Sequence, residues 1–394
     1  MTRVAIVGYA RTPIGAFLGE LSSLPAPRLG AHAIRAAVDR AGIDPSLVQA
    51  AYVGNVLQAG QGQAPARQAV RYAGLPDTCR TVTIHKVCGS GMQAIIECAR
   101  EILLGEADCV VAAGMESMSQ SPHLLKGSRT GIRMGNGELI DSMIYDGLWD
   151  PYDDMHMGHC GELCAEKFNF TREDQDAFSI ESVRRARAAQ ESGAFADEIA
   201  PIEIPQRKGD PVVIDSDEGV RKANPDKIPA LRPAFKRDGG TITAANASSI
   251  NDGASAIVLM SEEKAKEVGA NVIAWVDSWA GAAIEPKWFT VAPVEAMRDN
   301  LKKAGKTVDD IDLFEVNEAF AVVTMAAMRE LNLPHEKTNV RGGAVVLGHP
   351  IGCSGNRIVV TLMSALKERG GRWGQAGICI GGGEALSVII EMAD

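Results

Sequence analysis

Two long segments of this 394-residue sequence share one plan at a nearly constant separation. Residues 33–56 and 294–319 each predict a helix that ends at Ala-Gly, a spacer that starts a short helix, and then a strand. Ala41 and Ala304, the alanines of the two Ala-Gly pairs, are 263 positions apart. One such match can arise by chance, so its weight depends on whether a second pair of motifs repeats at the same offset.

A second pair of motifs does repeat at almost the same offset. Ser90-Gly91 and Ser354-Gly355 are 264 positions apart, and each opens a segment with apolar residues at helical spacing. Gly105 and Gly370 are suited to end these helices, because glycine adopts the left-handed conformation of a C-terminal cap. An apolar strand follows each helix. The two matches together predict a duplicated α/β domain.

Composition and charge limit the classes of function. The chain is 46% apolar and 23% charged with a net charge of −10, which is typical of a globular protein and argues against a nucleic-acid partner. No run approaches the roughly 18 apolar residues of a membrane span, and residues 1–13 predict a first strand rather than a signal peptide. The eight cysteines form no Cys-x-x-Cys pair, so we expect free thiols in a reducing cytoplasm.

The middle of the chain, about 120–248, breaks the repeated pattern. It carries loops, a charged helix predicted from about 171 to 191, and a Pro-rich stretch. Within 201–240 there are eight Lys or Arg and seven Asp or Glu, so this part is relatively basic in an acidic chain. We expect an insertion of loops and short elements on a rigid scaffold, a common location for binding residues.

The segment VCGSG places Cys88 at the start of a predicted helix. Unpaired backbone N–H groups and the helix dipole favour negative charge there, so we expect the pKa of this thiol to be lowered. The neighbouring glycines would let a substrate approach the backbone. A lone cysteine is more often a small buried apolar side chain, so the nucleophile hypothesis depends on two further motifs.

His349 occupies the equivalent place in the second half. It follows an apolar run that we predict as a strand, and it precedes a Gly-rich turn into the helix of Ser354. In a pseudo-two-fold duplicate, equivalent strand ends can meet at one cleft, and a histidine base beside a helix-start thiol is the arrangement of nucleophilic catalysis. A hydrogen-bonded structural histidine is the alternative interpretation.

Cys379 ends a predicted strand and runs into three glycines. Backbone N–H groups in such a turn can form an anion-binding nest. A second thiol at this place could serve as an acid or base, because the pKa of a thiol lies near working pH. Taken alone, the Gly-Gly-Gly turn is often only a hairpin.

Four motifs in this order resemble the thiolase family: HKVCGSGMQA (85–94), NEAF (317–320), GHPIGCSG (348–355) and CIGGGEA (379–385). The segments RTPIGAFLGELSS, GNVLQAGQGQAPARQ, GMESMS, LRPAF, GTITAANASSINDGAS and HMG are similar to that family as well. The resemblance covers essentially the whole chain, and the set of four motifs is very specific.

The resemblance implies a thiolase fold of class α/β. Its duplicated βαβ-rich halves would form a five-layered αβαβα arrangement with a loop domain inserted in the first half. For this chain the expected parts are an N-terminal half of residues 1–119 plus 249–271, a CoA-binding loop domain of 120–248, and a C-terminal half of 272–394.

The resemblance also implies a reversible, CoA-dependent Claisen condensation of two acetyl-CoA to acetoacetyl-CoA, or its thiolytic reverse. Cys88 would form the acyl-enzyme, His349 would take its proton, and Cys379 would deprotonate the second acetyl-CoA. Oxyanion holes would come from the N–H groups of Cys88 and Gly381, and from His349 with a water held by Asn317. The alternative for Asn317, which lies between a predicted strand and helix, is a simple helix cap.

CoA would act as substrate and product, with no permanently bound cofactor and no metal. Arg221 would pair with its phosphates or stack on adenine, Ser248 would bind the pantetheine amide, and Met157 and Phe320 would line the thioester pocket. Expected partners are acyl-CoA substrates and further copies of the chain, as a dimer or a dimer of dimers (homotetramer). The positions that match CoA-binding residues of the family are Leu148, His156, Met157, Arg221, Phe235, Ala247, Ser248, Ala319 and Phe320.

Three positions depart from the common family pattern: His85 and Arg341 stand where asparagine is usual, and Ser249 stands where glycine is usual. They place acyl-chain preference in question, while the four catalytic side chains are intact. HMG and GNVLQAG resemble the short-chain, acetoacetyl-CoA type. The alternative is a broader-chain 3-ketoacyl-CoA thiolase of fatty-acid β-oxidation.

Other classes of function fit the sequence less well. A decarboxylating ketosynthase has two histidines in place of His349 and Cys379, so the CIGGG motif argues against it. A metal-binding module could draw on the segment HMGHCGELC, but its adjacent histidine and cysteine are awkward for a tetrahedral site; the ligands would be His156, His159, Cys160 and Cys164. A non-catalytic lipid-binding relative would not need the complete catalytic set.

Overall fold

The computed structural model describes residues 2–393 of the chain. Its strands are β1 Val4–Arg11, β2 Gly15–Ala16, β3 Ala50–Gly54, β4 Arg80–Ile84, β5 Cys109–Ser117, β6 His123–Leu125, β7 Leu139–Asp141, β8 Trp149–Asp150, β9 Met155–His156, β10 Ile202–Ile204, β11 Val212–Ile214, β12 Asn251–Ser261, β13 Ala274–Ala283, β14 Leu313–Val316, β15 Trp373–Ile380 and β16 Glu384–Met392. Its α-helices are α1 Ala26–Ala41, α2 Pro65–Tyr72, α3 Ser90–Leu103, α4 Met157–Phe168, α5 Arg172–Glu191, α6 Glu218–Lys222, α7 Glu262–Val268, α8 Ala292–Ala304, α9 Ala321–Leu331, α10 Ala344–Leu347 and α11 Ile351–Arg369.

The long strands form one ten-stranded sheet that consists of two equivalent halves. Its order is β14-β15-β16-β13-β1-β12-β5-β3-β4, with β2 paired to β12. In the N-terminal half, β12 is antiparallel to both β1 and β5, and β3 runs parallel to β5. In the C-terminal half, β16 is antiparallel to both β13 and β15, and β14 runs parallel to β15. The shared strand order confirms the duplicated α/β plan.

The repeated helix ends have the conformation that the sequence predicts. Gly42 and Gly305 close α1 and α8 in the left-handed conformation with φ of 63° and 66°. Gly370 ends α11 in the same way, with φ of 65°. A short 3-10 helix and a parallel strand follow in each half, at Pro45–Leu47 with β3 and at Val308–Asp310 with β14.

The helices pack in three layers around the two half-sheets. Helices α1 and α2 lie against the N-terminal half, and α8 and α9 lie against the C-terminal half. Helices α3 and α11 contact each other and strands of both halves, so they form the middle layer. The central core, which includes Met92, Ile95, Ile358 and Leu362, is fully buried on these two helices. The architecture is a five-layered αβαβα arrangement, as the resemblance to the thiolases implies.

Between β5 and β12 the chain forms three small two-stranded sheets and the helices α4 to α6. The predicted charged helix is α5, and its first turn has a capping box between Thr171 and Asp174. This segment is tied to β1 by Arg11, whose guanidinium lies 2.7 Å from a carboxylate oxygen of Glu198 and 2.7 Å from one of Asp217. All three side chains are fully buried, so the ion pairs fix the inserted segment to the scaffold. The expected domain boundaries stay predictions.

The apolar run before His349 is not the strand that we predicted. It forms the four-residue helix α10, which Gly343 precedes and Gly348, with φ of 106°, ends. A short buried apolar run fits a strand or a helix equally well, and here the tertiary packing decides. In the part of the chain that the structure describes, no helix is long and apolar enough to cross a membrane.

Candidate active site

A cavity of ≈ 210 Å³ lies where the two halves and the inserted segment meet. Cys88 reaches it from the turn between β4 and α3, and His349 from the turn between α10 and α11. Gly381, in the turn between β15 and β16, forms a further part of its wall. The structure therefore brings a thiol, an imidazole and a glycine turn from opposite repeats to one pocket.

The turn that carries Cys88 has a strained and well-fixed backbone. Val87 has φ of 43°, a left-handed conformation that a β-branched residue rarely adopts. The buried hydroxyl of Ser90 accepts a hydrogen bond from the Lys86 N–H at 2.9 Å and donates one to the Val87 carbonyl at 2.7 Å. Lys86 also pairs with Glu384, so this turn is tied to the glycine turn of the other half.

The expectation of a lowered pKa for Cys88 is wrong. Burial raises the pKa of this thiol to about 11, although the N–H groups of Gly381 and of Cys88 itself act in the opposite direction. Cys88 also precedes the N-terminal residue of α3 by two positions. The loss of water therefore outweighs the local dipoles, and the resting side chain is a neutral thiol.

His349 is held in one orientation by its neighbours. Its Nδ1 lies 2.6 Å from Oγ of Ser354, and its backbone N–H donates to Oδ1 of Asn251 at 3.0 Å. The buried Nε2 has no hydrogen-bond partner among residues 2–393. Burial lowers the pKa of the imidazole to about 3, so it is neutral at physiological pH and can accept a proton.

Cys379, the second-last residue of β15, is not among the residues that line the cavity; it is fully buried in a cluster with the lining residues Met157, Ala319 and Phe320. Burial raises its pKa well above the ordinary value, and the nearby Cys88 adds to this shift. The expectation of a thiol that ionises near working pH is therefore wrong. The two thiols nevertheless lie within electrostatic reach of each other, as a shared site requires.

Asn317 follows β14 and is buried beside β15, where its N–H donates to the Gly377 carbonyl at 3.0 Å. Neither side-chain atom, Oδ1 or Nδ2, has a hydrogen-bond partner among residues 2–393. The alternative of a helix cap does not hold, because Phe320 is the N-cap of α9. A buried amide without partners is suited to hold a water or a ligand oxygen.

Most of the positions expected to contact CoA line the cavity. They are Leu148, His156, Met157, Phe235, Ala247, Ser248, Ala319 and Phe320. The ring of His156 stacks on Phe235 with centroids 4.8 Å apart, and the N–H of Ser248 donates to the Ala319 carbonyl at 2.9 Å. His156, Phe235 and Ser248 of the inserted segment thus line the same cavity as the NEAF motif of the second half.

Arg221 is the exception among these positions. It lies on α6, outside the lining of the cavity, and pairs with Glu20. A second cavity of ≈ 310 Å³ shares Ser249 with the first, and Lys222 and Lys227 contribute to its lining. The path from the thiol pocket therefore leads toward basic side chains of the inserted segment.

The sequence reasoning missed several residues that shape the pocket. Glu116, at the end of β5, accepts hydrogen bonds from the N–H groups of Val56, Leu57 and Gly352 and from the Asn55 amide, at 2.8 to 3.1 Å. Burial raises its pKa to about 7, and these donors oppose the shift. A buried carboxylate at the end of a strand was the available signal. Glu116 itself does not line the cavity; the lining residues that were missed include Met118, Ile250, Phe289 and Ile351.

The three departures from the family pattern have different surroundings. His85 is exposed, and its Nδ1 accepts a long hydrogen bond from the Val87 N–H at 3.4 Å. Arg341 is buried away from the cavity, where it pairs with Glu368 at 2.7 Å. Ser249 lines the cavity and donates to Oδ1 of Asn251 at 2.8 Å. Only Ser249 lies in the wall of the pocket.

The segment that suggested a metal site contains no such cluster. Among residues 2–393, no group of three or more His, Cys, Asp or Glu side chains is placed to hold a metal ion. Cys160 and Cys164 are fully buried in the core beneath the inserted segment, beside Phe320.

Comparison with known proteins agrees with this geometry. The thiolase N-terminal domain matches residues 4–263, and the thiolase C-terminal domain matches residues 270–392. Acetyl-CoA acetyltransferase 2 of Arabidopsis thaliana is 52% identical over 390 residues, which cover 99% of this chain and 97% of the plant protein.

Two solved structures extend the comparison to three dimensions. A crystal structure of a thiolase from Ascaris suum in complex with coenzyme A is 45% identical, with a TM-score of 0.94, and the match covers 99% of this chain and 100% of that one. The acetyl-CoA acetyltransferase of Bacillus anthracis is 42% identical with a TM-score of 0.97, covering 100% and 99% of the two chains. The chain belongs to the thiolase family.

Proposed function

We propose that this protein is an acyltransferase that condenses two acetyl-CoA to acetoacetyl-CoA and CoA, or cleaves acetoacetyl-CoA with CoA, through an acyl-cysteine. The observation that carries the proposal is the shared cavity of Cys88 and His349, with the N–H groups of Cys88 and Gly381 directed at the thiol. A neutral imidazole beside a neutral thiol can take the proton as the sulfur attacks.

In the first half-reaction, the sulfur of Cys88 attacks the thioester carbon of acetyl-CoA while Nε2 of His349 takes the thiol proton. The N–H groups of Cys88 and Gly381 stabilise the oxyanion that forms. The bond to the CoA sulfur breaks, that sulfur takes the proton of the Cys379 thiol, and CoA leaves. His349 keeps the proton of Cys88, and Cys379 is now a thiolate. The acetyl group remains on Cys88.

In the second half-reaction, the thiolate of Cys379 removes a proton from the α-carbon of another acetyl-CoA and becomes a thiol again. His349 and a water held by the unpartnered amide of Asn317 stabilise the enolate oxygen. The carbanion attacks the acetyl carbon, the bond to Cys88 breaks, and the sulfur of Cys88 takes its proton back from His349. The high resting pKa of Cys379 is consistent with this step, because a thiolate formed in a buried site is a strong base.

CoA extends from the first cavity into the second, so that its pantetheine arm passes Ser248 and Ser249. Its phosphates reach the basic side chains of Arg221, Lys222 and Lys227. The relatives support this choice of substrate, since the matched protein of Arabidopsis thaliana is named an acetyl-CoA acetyltransferase and the matched structure from Ascaris suum contains coenzyme A.

The shape of the pocket favours short acyl groups over the broader-chain alternative. The cavity of ≈ 210 Å³ is closed on the side of the core by Met118 and Ile351, with exposed fractions of 2% and 0%. A longer acyl chain would have to displace these side chains from a close-packed core.

The protein would act in the cytoplasm as a homo-oligomer, a dimer or a dimer of dimers. All eight cysteines are free thiols, which suits a reducing compartment. Sedimentation of the purified protein tests the assembly, and a sedimentation coefficient of a monomer would contradict it.

The test of the activity is thiolysis of 3-ketoacyl-CoA substrates of increasing chain length by the purified protein with added CoA. We expect cleavage of acetoacetyl-CoA and a steep fall in kcat/KM for longer chains. Equal rates across chain lengths would support the β-oxidation alternative, and no cleavage of any substrate would overturn the proposal. Cys88→Ala should abolish turnover without changing the melting temperature, which separates chemistry from folding.

A further inference from the structure

Asn251 lies beneath the active-site histidine and connects three parts of the fold. It is fully buried at the first position of β12. Its Oδ1 accepts the N–H of His349 at 3.0 Å and the hydroxyl of Ser249 at 2.8 Å, while its Nδ2 donates to the Gly15 carbonyl at 2.9 Å. The amide oxygen of Asn251 faces two donors and its nitrogen faces an acceptor, so the orientation of the amide is defined.

The fit around this amide is tight. Gly348 precedes His349 with φ of 106°, and a Cβ added there would lie 2.3 Å from Cγ of Asn251. The backbone N–H of Asn251 also contacts the sulfur of Met118, a wall residue of the cavity, at 3.5 Å. The amide plane therefore packs directly against the main chain that carries the imidazole.

We propose that Asn251 is a positioning residue, whose side-chain carbonyl holds the main chain of His349 so that Nε2 faces the thiol of Cys88. Ser249 assists by donating to the same oxygen. The inference rests on the proposed function, because it assigns His349 the role of base. Misplacement of a catalytic group by about 1 Å typically costs up to a hundredfold in rate, so a hydrogen bond to its backbone matters.

The test compares Asn251→Ala with Asn251→Asp by alkylation of Cys88 with iodoacetamide and by steady-state kinetics. Aspartate retains the oxygen that accepts the His349 N–H but loses the donor to Gly15. We expect Asn251→Ala to lower the alkylation rate and kcat by about tenfold or more, toward the value of His349→Ala, with KM for acetoacetyl-CoA little changed. Asn251→Asp should recover most of both rates.

The melting temperatures of the two Asn251 variants should follow the opposite order to their activities. This difference separates a positioning role from a purely structural one. Aspartate places a carboxylate oxygen against the Gly15 carbonyl, so Asn251→Asp should melt at or below the temperature of Asn251→Ala. A variant series in which activity follows melting temperature, or an Asn251→Ala enzyme with full alkylation rate, would overturn the inference.

A second pair of variants leaves Asn251 in place if its replacements do not fold. Ser249→Ala removes one donor to Oδ1, and Ser249→Thr keeps the hydroxyl. We expect slower alkylation of Cys88 in the alanine variant and recovery in the threonine variant; equal rates in both would contradict the assigned role. Alkylation requires no CoA substrate, so a protein with His349-dependent alkylation that fails to cleave acetoacetyl-CoA would refute the proposed function alone.

Discussion

The imidazole of His349 and the hydroxyl of Ser354 are joined by a hydrogen bond of 2.6 Å that determines where the ring proton lies. The Ser354 hydroxyl donates to the Pro350 carbonyl at 3.0 Å, so it must accept from the imidazole. Nδ1 therefore carries the proton, and the unpartnered Nε2 has a free electron pair. Ser354, the fourth residue of α11, thus holds the proton on Nδ1 and leaves Nε2 as the base.

Ser354→Ala should lower kcat by about tenfold to a hundredfold, because it releases both the tautomer and the orientation of His349. KM for acetoacetyl-CoA should change little. Steady-state kinetics measures both constants. The matched control is Ser255→Ala, since Ser255 contacts Cys353 in the same turn without touching the imidazole. Similar losses in the two variants would indicate a general disturbance of the turn.

Glu116→Gln should destabilise the fold by about 2 to 4 kcal/mol. Each carboxylate oxygen accepts two hydrogen bonds, so an amide nitrogen at either place would face two donors. These bonds join the loop after β3 in the first half to the start of α11 in the second half. Their loss therefore weakens the contact between the two halves. Urea unfolding measures the effect, with the exposed Glu330→Gln as control. Equal midpoints for the two variants would disprove this role.

The stability of the protein should depend on His349 as pH falls. In the folded protein the pKa of His349 is lowered to about 3 from the ordinary value of about 6.5. Between these two pH values the unfolded chain binds a proton at His349 and the folded chain does not. The stability that depends on a neutral His349 is fully present above pH 6.5 and is lost as the pH falls toward 3. Melting temperatures between pH 7.5 and 4.5 should therefore fall less in His349→Gln than in the wild type. Replacement of the exposed His123 by glutamine should leave the slope unchanged, and a wild-type slope in His349→Gln would contradict the assignment.

Arg221→Ala should raise KM for CoA in thiolysis by about tenfold while kcat is kept, as expected for one charge-assisted contact to a phosphate at a half-exposed site. The guanidinium must be shared with Glu20 or released from it when CoA binds. Glu20→Gln is the informative control, since it frees Arg221 and should leave KM unchanged or lower. An unaltered KM in Arg221→Ala would remove this residue from the CoA site.

Local patterns predicted much of the fold, because the duplicated plan depends on signals that are read along the chain. Helix ends at Gly42 and Gly305, and the apolar faces of α3 and α11, are set by conformational preference and spacing. The segment before His349 was misassigned because a four-residue buried helix carries no periodicity that distinguishes it from a strand.

The catalytic candidates were found from motifs, but their environment was not. The pKa of Cys88 depends on how completely water is excluded, and that exclusion comes from segments distant in sequence, such as those of Met157, Phe320 and Gly381. Glu116 bonds to Gly352 across 236 positions of sequence, and Asn251 bonds to His349 across 98. Such contacts arise from the tertiary fold, so no pattern within one segment indicates them.

The central claim is that Cys88 carries the acyl group between the two half-reactions. Incubation of the protein with acetyl-CoA, rapid acid quenching and mass spectrometry of the peptides tests it directly. The account predicts one acetyl group on the peptide that contains Cys88, lost on addition of CoA and absent in Cys88→Ala. An acetyl group on Cys379 instead, or turnover in a protein whose Cys88 is never acetylated, would contradict it.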